Sequence, residues 1–483
     1  MEERTAVLTY AVRGRVVLKY CGQLMLMLML LTLVPAGVAL LSGEWMPAQR
    51  YGILCCGLLL AGAALARLPA PSRIQSNEAL TITALAFVLS PLLMSWPLMA
   101  IGISFTDALF EAISGVTTTG LSVVGNIEQR SSVFLFARAW MQWYGGLGIV
   151  VFSVAILLNH HIALRRLITP DTEGMLTTTR VYTRRVFTVY IVLTLAGFII
   201  LLLLLGNGFS AIVYTLAAVS TGGFAPLNSS LGDLSLPAQY GISLLGLCGA
   251  IPLIFYYRLT RGDWREIYSD TEVRILVGFT LGLSLLLTLS LITLSGFDWR
   301  DAIHHGTLLA ISAQTTTGFA SLDVGSLEGL TLGFMIFAMV IGGTAGSTAG
   351  GFKILRLLIM WSMIRLLIQR TAMTAHAVSD PRLGDKILEQ EEIERALMLI
   401  ILFLMVVGIS WLIFLAYGFD PLQALFEVAS AAGTVGLSSG VTSHELDPFL
   451  KVVLCVNMLL GRVEIIAVLV VLYPGTWLGK RVE

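Results

Sequence analysis

Ala108-Leu-Phe-Glu-Ala-Ile-Ser-Gly-Val-Thr-Thr-Thr-Gly120 is a short apolar stretch that ends in a Thr/Gly cluster. The pattern occurs three more times. One copy runs from Ala211 to Gly223 and ends Ser220-Thr-Gly-Gly223-Phe. Another runs from Gly306 to Gly318 and ends Thr315-Thr-Thr-Gly318-Phe. The last runs from Ala424 to Gly436 and ends Gly433-Thr-Val-Gly436-Leu. In all four a small residue stands 12 positions before the final glycine, and those glycines follow one another at intervals of 103, 95 and 118 residues. That is a long-period internal repeat.

The background against which these copies stand is apolar. Of 483 residues, 56% are hydrophobic and 12% charged, with a mean hydropathy of +0.86. A soluble domain carries roughly 25% charge. The composition excludes a soluble enzyme, a disordered chain and a nucleic-acid binder, and leaves a polytopic membrane protein. Lys plus Arg and Asp plus Glu both number 30, so net charge says nothing about partners. Cys21, Cys55, Cys56, Cys248 and Cys455 form no CxxC pair and read as small packing residues. Met1–Lys19 is polar and basic without a small-residue cleavage pattern, so the first apolar run reads as a retained helix.

A spanning helix needs about 20 apolar residues. Candidate spans lie near 21–42, 51–67, 79–104, 131–158, 187–206, 237–257, 275–296, 396–418 and 448–473, with an interrupted tenth near 331–368. Placing the N-terminus in the cytoplasm gathers Arg13, Arg15, Arg67, Arg73, Arg165, Arg166, Arg180, Arg184, Arg185, Arg258, Arg261, Arg265, Arg370, Arg382, Lys386, Lys480 and Arg481 on the inside. Only a handful, such as Arg50, Arg130, Arg300 and Lys451, stay outside. This is the asymmetry of the positive-inside rule, and both termini fall in the cytoplasm.

The four repeats then lie in outside connections, each flanked by two spans, so they share one orientation around an axis along the membrane normal. About 12 helical residues rise about 18 Å, short of the ~30 Å hydrocarbon core. Each apolar stretch is therefore a half-helix that dips in and returns. Asp420-Pro421 is an N-cap followed by Pro at the first helical position, and Thr106, Ser210 and Asp301 are the expected starts of the others. Four half-helix C-termini would carry partial negative charge toward the axis. The Thr/Gly residues that follow, read as extended strands, would turn carbonyl oxygens inward to replace the water shell of a monovalent cation. No carboxylate ring lies at the four glycines, which argues against a divalent-selective site.

These residues resemble the membrane subunit of Trk-type potassium uptake systems, in the Trk/Ktr/HKT superfamily. Thr117-Thr-Thr-Gly120-Leu, Ser220-Thr-Gly-Gly223-Phe, Thr315-Thr-Thr-Gly318-Phe-Ala and Gly433-Thr-Val-Gly436-Leu-Ser match its filter segments, in order, and the likeness covers the whole chain. The resemblance implies an all-α polytopic fold: a two-helix N-terminal extension (1–70), then four membrane–pore–membrane repeats around a central pore. Repeat 1 is 71–185 with pore segment 107–124, and repeat 2 is 186–270 with pore segment 210–227. Repeat 3 is 271–390 with pore segment 301–323, and repeat 4 is 391–483 with pore segment 420–440. It implies a potassium-binding filter of Thr118, Thr119, Gly120, Thr221, Gly222, Gly223, Thr316, Thr317, Gly318, Thr434, Val435 and Gly436. The potassium ion is then cargo at the filter, with no other metal. It further implies the inner membrane, a homodimer, and a cytosolic TrkA-like nucleotide-binding regulatory subunit. Nucleotide would act only through that partner. The segments 160–185, 258–274 and 370–395 are the candidate contacts.

The interrupted span carries Gly342-Gly-Thr-Ala-Gly346-Ser-Thr-Ala-Gly350-Gly351. Gly342, Gly346 and Gly350 could be a packing stripe of one continuous helix. Five glycines and three hydroxyl residues in ten positions favour a break instead, and with it an intramembrane gating loop that also uses Gly343 and Gly351. Gly351-Phe-Lys353 lacks the adjacent Gly-Lys of a phosphate loop. Arg462 sits near the middle of the apolar run 448–473, roughly 15 Å from either end, and must face a cavity or a partner. A pore carbonyl, Glu111 or Glu427 could pair with it. The family match at Gly-Arg-x-Glu favours a gating role, and Glu464 would face elsewhere. A secondary transporter coupling potassium to sodium or protons would need a carboxylate beside the path, for which Glu111 and Glu427 are the candidates. No convergent Ser/His, paired-Asp or metal set marks an enzyme. Asp107, Asp301 and Asp420 could gather cations or simply cap. His160-His161 and His304-His305 lack metal-ligand spacing, and Gln142-Trp-Tyr-Gly-Gly-Leu-Gly148 reads as close helix packing.

Overall fold

The computed structural model describes residues 11–69, 74–160, 175–259, 270–372, 380–384, 386–463 and 465–478. Among the described residues the regular structure is helical apart from a short antiparallel pair, Arg382–Leu383 with Lys386–Ile387. Helices α1 (Gly14–Leu41) and α2 (Trp45–Ala66) form the N-terminal pair. Gly22 and Gly62 let them cross closely: a methyl group on Gly22 would sit 2.6 Å from Leu65 Cβ. The pair is tied to the rest by Trp140 Nε1, which donates to the Leu31 carbonyl at 2.8 Å, and by Arg13, whose Nε lies 2.8 Å from Glu78 Oε1.

Four hairpins of helices follow. The first is α3 (Ser76–Leu98), α4 (Phe105–Val116) and α5 (Ser132–His160). The second is α6 (Met175–Leu205), α7 (Gly208–Val219), α8 (Leu236–Gly249) and α9 (Leu253–Leu259). The third is α10 (Thr271–Thr293), α11 (Trp299–Gln314), α12 (Gly329–Ile341) and α13 (Ile354–Thr371). The fourth is α14 (Gln390–Ala416), α15 (Pro421–Ala432), α16 (Pro448–Val463) and α17 (Ile465–Leu472). The long helices are inverted relative to a soluble protein: α6 exposes Val192, Leu195, Ile199 and Leu203, while its polar Thr194 is buried. Among the described residues six helices are long and apolar enough to cross a membrane, or up to eight when each bent pair counts as one span. The protein is a multi-pass membrane protein.

Three sequence expectations are corrected. The half-helices start two or three residues earlier than expected at three sites. Their N-caps are Ser104, Asn207 and Asp298, each accepting a backbone N–H of the first turn, in place of Thr106, Ser210 and Asp301. Asp420 with Pro421 caps α15 as expected. The run 237–257 is not straight: α8 and α9 meet at 92°. Pro252 has no N–H and disfavours helix before it. The run 448–473 also bends, by 109° after Val463. Its first half rests on the end of α15, where a methyl group on Gly461 would strike the Ala432 carbonyl, while α17 turns away to pack on α3. Arg462 thus lies one residue from a helix end. The break between α12 and α13 is real, and Gly342–Gly351 lie within it.

A closed ring of four turns and the loop beneath it

The half-helices α4, α7, α11 and α15 stop in the same way. The caps are Thr117, Ser220, Thr315 and Gly433. The next residues, Thr118, Thr221, Thr316 and Thr434, are left-handed, with φ of 54°, 52°, 55° and 51°. Each stop is sealed by a six-to-one bond: Thr119 N to Ser114 O, Gly222 N to Ala217 O, Thr317 N to Ser312 O, and Val435 N to Ser430 O, at 2.8–3.0 Å. A β-branched residue in this region is a genuine outlier, costing of order 1–3 kcal/mol. Four of them at one register position mark a place where the backbone path is fixed for another reason.

Two residues later stand Gly120, Gly223, Gly318 and Gly436, with φ of 95°, 77°, 80° and 92°. The intervening residue is not one of the positive-φ residues, so the sign of φ alternates and the segments are not the uniform extended strands expected. The four glycines close a ring. A methyl group on Gly120 would strike the Gly222 carbonyl oxygen, one on Gly223 that of Thr317, one on Gly318 that of Val435, and one on Gly436 that of Thr119. Each glycine abuts the carbonyl just before the glycine of the next repeat, and the fourth returns to the first. All twelve sequence-predicted residues fall in this ring. The hydroxyls of Thr117 and Thr119 are 2.8 Å apart, and all four left-handed threonines are buried.

Residues that the sequence reading had not placed hold the ring from behind. Nine positions before the glycine, Glu111 Oε1 accepts from Ser122 Oγ at 2.7 Å and Val123 N at 2.9 Å. Glu427 Oε2 accepts from Ser438 Oγ at 3.1 Å and Ser439 N at 3.0 Å. Tyr214 donates to the Ser230 carbonyl at 2.6 Å. These side chains clamp the outgoing chain to its own half-helix. Glu111 also lies 2.9 Å from Arg138 Nε, whose guanidinium covers the Phe224 ring at 3.8 Å. Gln142 Nε2 donates to the Gly222 carbonyl, and its Oε1 accepts from Phe224 N. In the 142–148 stretch, expected to be close helix packing, a methyl group on Gly145 would strike the Val116 carbonyl, whereas Gln142 supports the ring.

The outer loops link neighbouring repeats. Asn228 Oδ1 accepts from Ile127 N, Leu231 N donates to Ala320 O, and a methyl group on Gly325 would sit 2.7 Å from Ser439 O. Repeat 4 meets repeat 1 through Lys451 Nζ and Asp107 Oδ1, 2.7 Å apart and nearly buried. Asp107 is therefore an ion-pair partner, while Asp420 is a cap. His304 and His305 bond to Gln239, Tyr240 and Ser321, and no metal-ligand group occurs among the described residues. His161 lies outside the described residues.

The chain between α12 and α13 is seated on the C-terminal ends of three half-helices. Thr348 Oγ1 donates to the Val219 carbonyl at the end of α7 at 3.1 Å. Gly350 N donates to Thr316 Oγ1 at 2.7 Å, and Gly351 N donates to the Gly433 carbonyl at the end of α15 at 3.0 Å. Gln314 Nε2 reaches the Gly342 carbonyl at 2.6 Å. Carbonyls orphaned at helix ends are thus partly met by this loop. A methyl group on Gly342, Gly350 or Gly351 would clash with backbone and one on Gly343 with Ala349 Cβ, while Gly346 faces open space. The bend at 250–252 belongs to the same structure: Thr344 Oγ1 donates to Ala250 O, and Leu253 N donates to Gly346 O. Glu272 Oε2 accepts from Ala345 N at 2.9 Å. Arg462 is 3% exposed and donates from Nη1 to the Thr348 carbonyl at 2.7 Å. Of the partners expected for it, a backbone carbonyl is the one found, in the loop itself; Glu464 lies outside the described residues.

The TrkH family profile, described as a cation transport protein, matches residues 58–259 and 265–474. The potassium uptake protein TrkH of Halomonas elongata is 30% identical over 96% of this chain and 99% of its own length. An uncharacterized cation transporter of Methanocaldococcus jannaschii is 29% identical over 94% of each chain. The crystal structure of the potassium transporter TrkH from Vibrio parahaemolyticus superposes with a TM-score of 0.85 at 26% identity, covering 97% of this chain and 100% of that one. The chain belongs to the TrkH family of cation transport proteins.

Proposed function

We propose that this protein carries potassium into the cell across the inner membrane, passively, through the ring of Thr118–Gly120, Thr221–Gly223, Thr316–Gly318 and Thr434–Gly436. The closed glycine-to-carbonyl ring is the observation that carries this reading. Alternation in the sign of φ along each turn aims its carbonyls differently from a strand, where successive carbonyls point to opposite sides. Four such turns offer stacked oxygens that can replace the water of a monovalent cation, aided by the negative ends of four half-helices. The domain limits follow the repeats, with 1–70 as an added pair. The names of the relatives support potassium as the cargo.

The loop Gly342–Gly351 is the gate. It sits across the half-helix ends where an ion leaving the ring must pass, and Arg462 holds it by the Thr348 carbonyl. A positive charge there also opposes cation exit in a low-dielectric site. Opening requires that contact to break. The protein works as a homodimer with a cytosolic TrkA-like nucleotide-binding subunit, docked on the basic inside segments, both termini being cytoplasmic. The test is rubidium uptake into liposomes holding the purified chain, with potassium and sodium as competitors. Block by potassium alone is expected. Equal block by sodium would contradict a potassium-selective ring.

A further inference from the structure

Behind the loop, between Gly350–Arg356, Phe403 of α14 and Gly461–Arg462 of α16, lies a small cavity of about 30 Å³ that is open on one side. For a cation pathway its wall has the wrong sign. Arg462, Lys353 and Arg356 line it, and no carboxylate is among its described lining residues. Among the described residues Arg462 bonds only through Nη1, and its buried Nε and Nη2 meet no hydrogen-bond partner. Two donors of a charged group left unmet in a buried site are costly. The first turn of α13 opens on the same wall, and its N-cap Lys353 makes no side-chain cap bond, so the helix end adds positive potential. Glu272 of α10 acts on Lys353, Arg356 Nη1 donates to the Phe352 carbonyl at 3.1 Å, and both Lys353 and Arg356 have further partners.

We propose that this cavity is an anion site, binding one phosphate-class oxyanion on the Nε–Nη2 edge of Arg462 with Lys353 and Arg356 beside it. A guanidinium edge with two parallel N–H groups fits two oxygens of such an anion. Phosphate oxygens come either from a lipid headgroup or from free phosphate. Because Arg462 also holds Thr348, the bound anion fixes that side chain against the loop while offsetting part of its charge; this consequence rests on the gate assignment above.

The test uses the purified, delipidated full chain. One arm measures equilibrium binding of radiolabelled inorganic phosphate at constant ionic strength against chloride. The other counts phosphatidylglycerol retained from phosphatidylglycerol vesicles, with phosphatidylcholine vesicles as control, by native mass spectrometry. One saturable site in the phosphate arm supports a free anion, and one retained phosphatidylglycerol without phosphate binding supports a lipid headgroup. In either case Arg462→Gln and Arg356→Gln should each weaken binding at least tenfold. Lys353→Gln serves if Arg462→Gln does not fold. Absence of a saturable site in both arms, or binding that survives these substitutions, overturns the proposal. Rubidium flux through Arg462→Gln separates the two ideas. Arg462-dependent binding with unchanged flux would sink the gate and keep the anion site. Raised flux with no binding would do the reverse.

Discussion

Thr316 is the residue where ring and loop meet. Its backbone is left-handed at the end of α11, and its hydroxyl accepts from Gly350 N at 2.7 Å. Thr316→Val keeps the shape and removes the acceptor. An unmet buried N–H costs about 1–3 kcal/mol, and that cost falls on the seated loop. Basal rubidium flux should therefore rise, and Thr316→Ser should restore it; equal flux in both variants would detach Thr316 from gating. The glycines of the ring were legible because their register repeats. Their supports were less so. Arg138 is the one charge in its apolar run, a signal that could have been followed, but nothing in the sequence pairs it with Glu111. Glu111 and Glu427 look like coupling carboxylates until the chain folds back and their oxygens meet Ser122, Val123, Ser438 and Ser439.

At the scale of elements, the half-helices depend on their caps. Asn207 Oδ1 accepts from Phe209 N at 2.9 Å and Ser210 N at 3.2 Å. Asn207→Ala should lower stability by about 1 kcal/mol, read as a drop in the thermal unfolding midpoint. The loop depends on its latch. Arg462→Gln should raise basal rubidium flux severalfold, whereas flux at the unmodified level would leave the Arg462–Thr348 bond without a gating role. The break at 342–351 was legible because glycine and hydroxyl residues sum to poor helix. The cap positions shifted because each chain enters α4, α7 and α11 through a polar residue two or three places upstream of the expected one. The bend after Val463 has no Gly or Pro just after it to announce it; it follows from Gly461 resting on α15 and from α17 packing on α3.

Across the whole molecule the four hairpins form two rings, one of Thr/Gly turns and one of outer loops. The second is closed between repeats 4 and 1 by Lys451 and Asp107. Removing one partner leaves a buried charge unpaired, at a cost of about 3–5 kcal/mol. Lys451→Met should lower the unfolding midpoint sharply, and adding Asp107→Leu should recover much of the loss; independent, additive losses would mean the pair does not close the ring. The long apolar helices were legible from apolar length. The pairing across 344 residues was not, since Asp107 reads locally as a cap or a cation lure.

The central claim is that four equivalent glycines make one selective site. Gly120→Ala, Gly223→Ala, Gly318→Ala and Gly436→Ala, each in liposomes, test it through potassium and sodium competition against rubidium uptake. A methyl group at each strikes the next repeat's carbonyl, and the backbone there disfavours alanine by roughly 1–2 kcal/mol. All four variants should lose potassium preference over sodium. Full preference retained in any one of them would contradict a ring built from all four repeats.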